Sequence, residues 1–111
     1  MHCRAAILSC CLWLGGAPAL ADPSITGHRL LNWCRSEQAT PLWMLCLGYV
    51  AGVSDHLERV EGAARYCPPE GLSDEEERDI VVAYLDDNEA LRRNSALDLI
   101  IESLREAHPC T

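Results

Sequence analysis

A chain of 111 residues with 17 acidic and 9 basic side chains, net −8, lacks the basic footprint that phosphate binding requires, so nucleic acid is not an expected partner. Every basic residue is arginine. Such an acidic surface suits solubility, and it also suits steering toward a basic protein partner.

Residues 1–21, MHCRAAILSCCLWLGGAPALA, have a basic start at Arg4, an apolar run from Ala5 to Leu14 and the small-residue ending Ala19-Leu20-Ala21. This is the pattern of a cleaved secretory signal peptide, and it predicts export with Asp22 as the first mature residue. The run is broken by Gly15, Gly16 and Pro18 and falls short of the ~20 apolar residues that a spanning helix needs, so no membrane anchor is expected once the leader is removed. A lipoprotein cleaved at Cys10 or Cys11 would leave too short an apolar region.

The remainder, 22–111, is 111 − 21 = 90 residues with a formal charge of 8 − 17 = −9. That is one small domain whose core supplies about 3–5 kcal/mol, so covalent staples are expected. Cys34, Cys46, Cys67 and Cys110 remain after the leader, an even number in an exported chain, which implies two disulfides. Their separations of 12, 21 and 43 residues include no C-x-x-C pair and do not resemble a zinc site. Neither a metal nor a cofactor is expected.

Four helix-sized segments follow, and no strict alternation competes with them. The first spans about Ser24 to Gln38, with Gly27, Leu30, Leu31 and Cys34 on one face. Thr40 caps the second and Pro41 opens it, and its stripe of Cys46, Tyr49, Val50, Val53, Leu57 and Val60 runs to about Val60. The first half of this helix, with Leu42, Trp43, Met44, Leu45 and Leu47, is apolar all round, which predicts burial on every side. Pro68, Pro69 and Gly71 then interrupt the chain. Ser73 and Glu76 form a capping-box pattern for a third helix ending near Leu85 with Ile80, Val81, Tyr84 and Leu85 inward. The fourth starts near Asn88, holds Leu91, Leu97, Ile100, Ile101 and Leu104 for the core, and stops at Pro109. The expected fold is all-α: one small, roughly antiparallel four-helix domain with two disulfides. Antiparallel neighbours place Cys34 beside Cys46 and Cys67 beside Cys110, and these pairings are preferred; spacing alone leaves the other two connectivities open.

Gly48 and Gly52 in the second helix each cost about 0.8–1.0 kcal/mol relative to alanine. With Ala51 they make a flat face opposite the Cys46 stripe, and Asp55 lies on the same side one turn on. The expected compensation is close approach of another backbone, either within the chain or from a second copy.

The pattern Cys46-x-Gly48-Tyr49-x-x-Gly52-x-x-Asp55, then Cys67-x-Pro69, AYLDDNEALR from Ala83 to Arg92, and the terminal Pro109-Cys110 resembles the Rap/Tai immunity family of bacterial type VI secretion systems, over essentially the whole mature chain. The resemblance implies an all-helical periplasmic protein that binds a secreted peptidoglycan amidase and occludes its active-site cleft. It also makes a homodimer a candidate state, as in some family members. One departure is visible: this chain has Asn88-Glu89 where the family tends to have Asn-Pro.

No catalytic group is expected. Asp55 and His56 are adjacent on a helix and point about 100° apart, so neither orients the other. Asp74, Glu75, Glu76 and Glu77 fit the dipole of a helix start. Asp86, Asp87 and Glu89 form a negative turn suited to entering a basic cleft, and Arg92 and Arg93 beside them either pair with those acids or contact a partner. Two competing functions share the acidic, disulfide-tied, exported character. One is an HdeA-like acid-stress chaperone, which would shed a dimer partner and bind clients below about pH 4; the other is a structural subunit of an envelope complex.

Overall fold

The structure is a computed structural model that describes residues 24–59 and 66–111 together with Gly15. The leader reading, the expected end of the second helix at Val60 and the segment 60–65 lie outside the described residues. Within them the chain forms α1 (Gly27–Cys34), α2 (Pro41–Arg59), α3 (Asp74–Asp87), a 3-10 turn (Glu89–Leu91) and α4 (Ala96–Ala107). The four helices pack around one core in which Leu30, Cys34, Cys46, Val50, Val81, Leu85, Ala96, Ile100 and Leu104 are fully buried. Both preferred disulfides are present, Cys34–Cys46 and Cys67–Cys110, with Cα separations of 5.1 and 5.0 Å.

The starts of α2 and α3 have identifiable causes. Ser73 Oγ accepts from the Glu76 amide at 3.1 Å and the Glu76 carboxylate accepts from the Ser73 amide at 2.8 Å, completing the capping box. Thr40 Oγ1 accepts from the Trp43 amide at 3.4 Å, with Pro41 at the first helical position. Ala39 takes the left-handed conformation, φ 67°, in the turn that joins α1 to α2.

α1 is shorter than expected. It covers Gly27–Cys34 rather than about Ser24 to Gln38, Thr26 caps it, and its first amides are satisfied from a distant part of the chain: Gly27 N donates to Asn94 O at 3.0 Å and His28 N to Arg92 O at 2.9 Å. Ala96 N donates back to Ile25 O at 2.9 Å, so Thr26 and Ser95 form a small antiparallel bridge. Gly27 permits this approach, because a Cβ there would lie 2.9 Å from Arg92 O and 3.0 Å from Arg92 Cα.

The expected fourth helix is two elements. After Asn88 the chain makes only the 3-10 turn, and α4 begins at Ala96. Leu91 and Leu97, assigned to the core from the sequence, are exposed, and Ala96, Leu99 and Ser103 are buried instead. The docking of α1 onto the Arg92–Asn94 backbone holds this segment outside a helix, which rotates the inward face of α4.

The expectation that the first half of α2 is buried all round is also corrected. Trp43 and Leu47 are buried, but Leu42, Met44 and Leu45 are 43, 55 and 46 % exposed. The reason is architectural: α1, α3 and α4 all pack against one side of α2, leaving no described element to cover the other.

Candidate functional site

Two surfaces and one buried cluster hold the chemically notable side chains. The first surface is the outer side of α2. Gly48 and Gly52 are exposed there, and a Cβ built on either meets nothing within 4 Å. Close approach of another part of the described chain is therefore not what these glycines serve. Met44 and Leu45 precede them on the same side, Ala51 is half-buried at its edge, and Asp55 follows, its carboxylate accepting from Arg59 Nε at 3.1 Å. From Leu42 to Ser54 there is no ionisable acid or base other than the Tyr49 phenol and the disulfide-bonded Cys46, in a chain that is otherwise strongly acidic. His56 is exposed, and the Asp55 carboxylate pairs with Arg59.

The second surface is the α3–α4 connection. Its two candidate groups Asp86 and Arg92 are tied into the fold. Arg92 Nε donates to Leu85 O at 2.6 Å and its guanidinium to Asp86 O at 3.2 Å, so it closes the C-terminal end of α3, where free carbonyls and the helix dipole favour a cation. The Asp86 carboxylate meets Arg35 from the end of α1 and lies 3.8 Å from Arg92. Arg78 plays the matching part for α1, donating to Cys34 O at 3.0 and 2.6 Å. What remains outward is the side chains of Asp87, Glu89 and Arg93, which make no ion pair or hydrogen bond among the described residues. The sequence marked this turn by its charge; it carried no sign that Arg92 and Asp86 would brace it from inside, since their partners Leu85 O and Arg35 are fixed by the fold.

The buried cluster, which the sequence reading did not single out, joins α2 and α3. Glu77 is 7 % exposed and Ser54 3 %, and the Tyr66 hydroxyl donates to Glu77 Oε2 at 3.4 Å. Burial pushes the Glu77 carboxyl above its usual range, with the nearby Ser54 and Tyr66 hydroxyls partly offsetting this. Burial likewise pushes the Tyr66 phenol up to about 12, with Ser54 opposing and the Glu77 charge adding to the rise. A clue was available in the sequence: Glu77 falls on the inward face shared by Val81 and Leu85. Its place in the acidic helix start masked it.

None of these places brings together a nucleophile, a base and a group orienting it. Among the described residues no cluster of His, Cys, Asp and Glu could hold a metal ion, and no helix is long and apolar enough to cross a membrane. The fold and surfaces define a small disulfide-tied helical domain, with a neutral stretch Leu42–Ser54 on α2 and a braced acidic turn at one end. The family model described as Rap1a immunity proteins matches residues 26–110, and the chain belongs to that family. Membership of that family implies an immunity role toward a type VI secreted effector. No curated protein and no solved structure matches it.

Proposed function

We propose that the protein is exported to the periplasm by its leader and there neutralises a secreted peptidoglycan amidase, presenting the turn between α3 and α4 to the enzyme's active-site cleft. The supporting observation is that this turn is both exposed and braced: Asp87, Glu89 and Arg93 point outward while Arg92 and Asp86 lock the backbone beneath them. A turn already held in its bound shape loses little conformational freedom on docking, which favours slow release. Inhibition is then steric and electrostatic.

The outer side of α2 fits a second copy of the chain. Two copies that each carry −9 repel over most of their surfaces, but the stretch Leu42–Ser54 is neutral. The large side chains Met44 and Leu45 and the open Gly48 and Gly52 also supply knobs and holes on one stripe, as a two-fold contact requires. Met44→Asp, at an exposed position, should leave the fold intact and convert a dimer to a monomer in sedimentation; a dimer that persists removes α2 from the contact.

The test of inhibition is capture with the oxidised protein from an extract of its own organism at pH 7, followed by cell-wall digestion. Recovery of a wall amidase that the protein silences supports the reading. Recovery of nothing at pH 7 and of many clients below about pH 4 would replace it with the chaperone.

A further inference from the structure

On the outer side of the domain a groove of about 360 Å³ runs between α3 and α4, ending at the same braced turn. Ile80, Ala83 and Ala107 give it apolar walls, Tyr84 lies half-buried within it, and Asp87 and Glu106 line it at either side. Neither carboxylate has an ion pair or hydrogen bond among the described residues, and nor does Glu102, one turn before Glu106 on α4. Of the described arginines, Arg35, Arg59, Arg78 and Arg92 are engaged by other carboxylates and Arg29 lies over the Trp33 ring at 5.3 Å, while Arg93 in the turn and Arg105, next to Glu106 on α4, form no ion pair. The groove thus combines an aromatic surface, apolar walls and carboxylates that form no ion pair among the described residues. Burial pushes the Tyr84 phenol above its usual range, and the charges of Glu102 and Glu106 add to the rise.

We propose that this groove receives an arginine side chain of the protein partner. A guanidinium is flat enough to stack on the Tyr84 ring and carries donors on its edges for the carboxylates of Asp87 and Glu106, while its methylene stem suits the walls of Ile80, Ala83 and Ala107. An ammonium, more strongly hydrated and without a planar face, fits less well. The inference rests on the inhibitor reading for the identity of the partner and deepens it: beside the turn that enters the cleft, the groove holds a basic residue on the enzyme's rim and fixes the orientation of docking.

Two measurements test it. In the first, the oxidised protein is titrated with N-acetyl-leucyl-arginine amide at low salt and followed by amide chemical shifts. Shifts should centre on Tyr84, Asp87 and Glu106, exceed those given by the lysine analogue, and vanish in the double variant Asp87→Asn, Glu106→Gln. Shifts centred instead on Asp74–Glu77, or none at millimolar peptide, would overturn the groove whatever the protein inhibits. In the second, the captured wall hydrolase is bound to wild type, to the groove variant and to a control, Asp74→Asn with Glu75→Gln, which removes the same charge from the opposite end of α3. Roughly tenfold weaker binding for the groove variant alone is expected, from two partly exposed charge contacts. Equal weakening in both variants would reduce the effect to bulk charge and refute the site. Failure to capture any wall hydrolase would defeat the inhibitor reading, leaving the groove to be decided by the peptide titration.

Discussion

Replacing Gly48 and Gly52 together by alanine should make the isolated domain more stable. Both positions are interior to α2, and a Cβ at either enters open space, with no atom within 4 Å. Steric cost is therefore absent, and what remains is the helix preference of alanine over glycine, about 0.8–1.0 kcal/mol per site and roughly 2 kcal/mol for the pair. For a domain of this size 1 kcal/mol moves the melting temperature by about 4–8 °C, so a rise of roughly 8–16 °C is expected. Circular dichroism melts of the oxidised protein, at concentrations low enough for sedimentation to show a monomer, read this directly. Gly27→Ala is the internal control with the opposite sign. Its Cβ would sit 2.9 Å from Arg92 O, where the Thr26–Ser95 bridge leaves no room to move, so a loss of about 1–3 kcal/mol is expected. A double alanine variant that melts lower than wild type would refute the reasoning, since it would mean that the outer face of α2 packs against something in the monomer.

Glu77 predicts an unusual pH response. Its folded-state pKa is raised, so the native protein holds this proton more tightly than the unfolded chain does, and its contribution favours folding as pH falls toward the folded pKa and opposes it above. Glu77→Gln should therefore raise the melting temperature at pH 7 and narrow its advantage toward about pH 5; parallel curves for the two proteins over that range would exclude the effect. Arg92→Ala leaves the Leu85 and Asp86 carbonyls without their charged donor and should cost about 2 kcal/mol in denaturant unfolding, whereas a cost under about 0.5 kcal/mol would show that water serves the α3 terminus equally well. Cys67→Ser with Cys110→Ser opens a 43-residue loop and should cost about 4 kcal/mol by the chain-entropy estimate, against about 3 kcal/mol for the 12-residue Cys34–Cys46 loop; equal costs for the two would contradict loop length as the source.

The parts of this fold legible in the sequence are those decided within a few residues. Ser73 and Glu76 cap each other across one turn, which spacing alone marks, and Cys34 and Cys46 flank a single tight connection, so antiparallel packing of the two helices favoured their pairing. The misplaced features depend on distant partners. Leu91 and Leu97 carry a helical signal, yet the chain between them is held out of a helix by α1 docking on the Arg92–Asn94 backbone, an interaction 65 or so residues long in sequence. In the same way, Leu42 to Leu47 are apolar in every direction, and periodicity cannot show which side neighbours will cover when no direction is polar. At the α3–α4 end, charge marked Asp86, Asp87, Glu89, Arg92 and Arg93 as a group. Only the fold separates the two that brace the turn from the three that face outward.

The Cys67–Cys110 bond encloses α3, the 3-10 turn and α4 in a covalent ring, with the exposed Arg93 peptide inside it. An endoprotease that cut after this arginine would therefore release nothing: both fragments would remain one molecule, separable only by a reductant. In an oxidising compartment shared with hydrolytic enzymes, such a nick would convert the protein into a two-chain form held by sulfur and by a common core, so that damage at this exposed turn need not mean loss of the molecule.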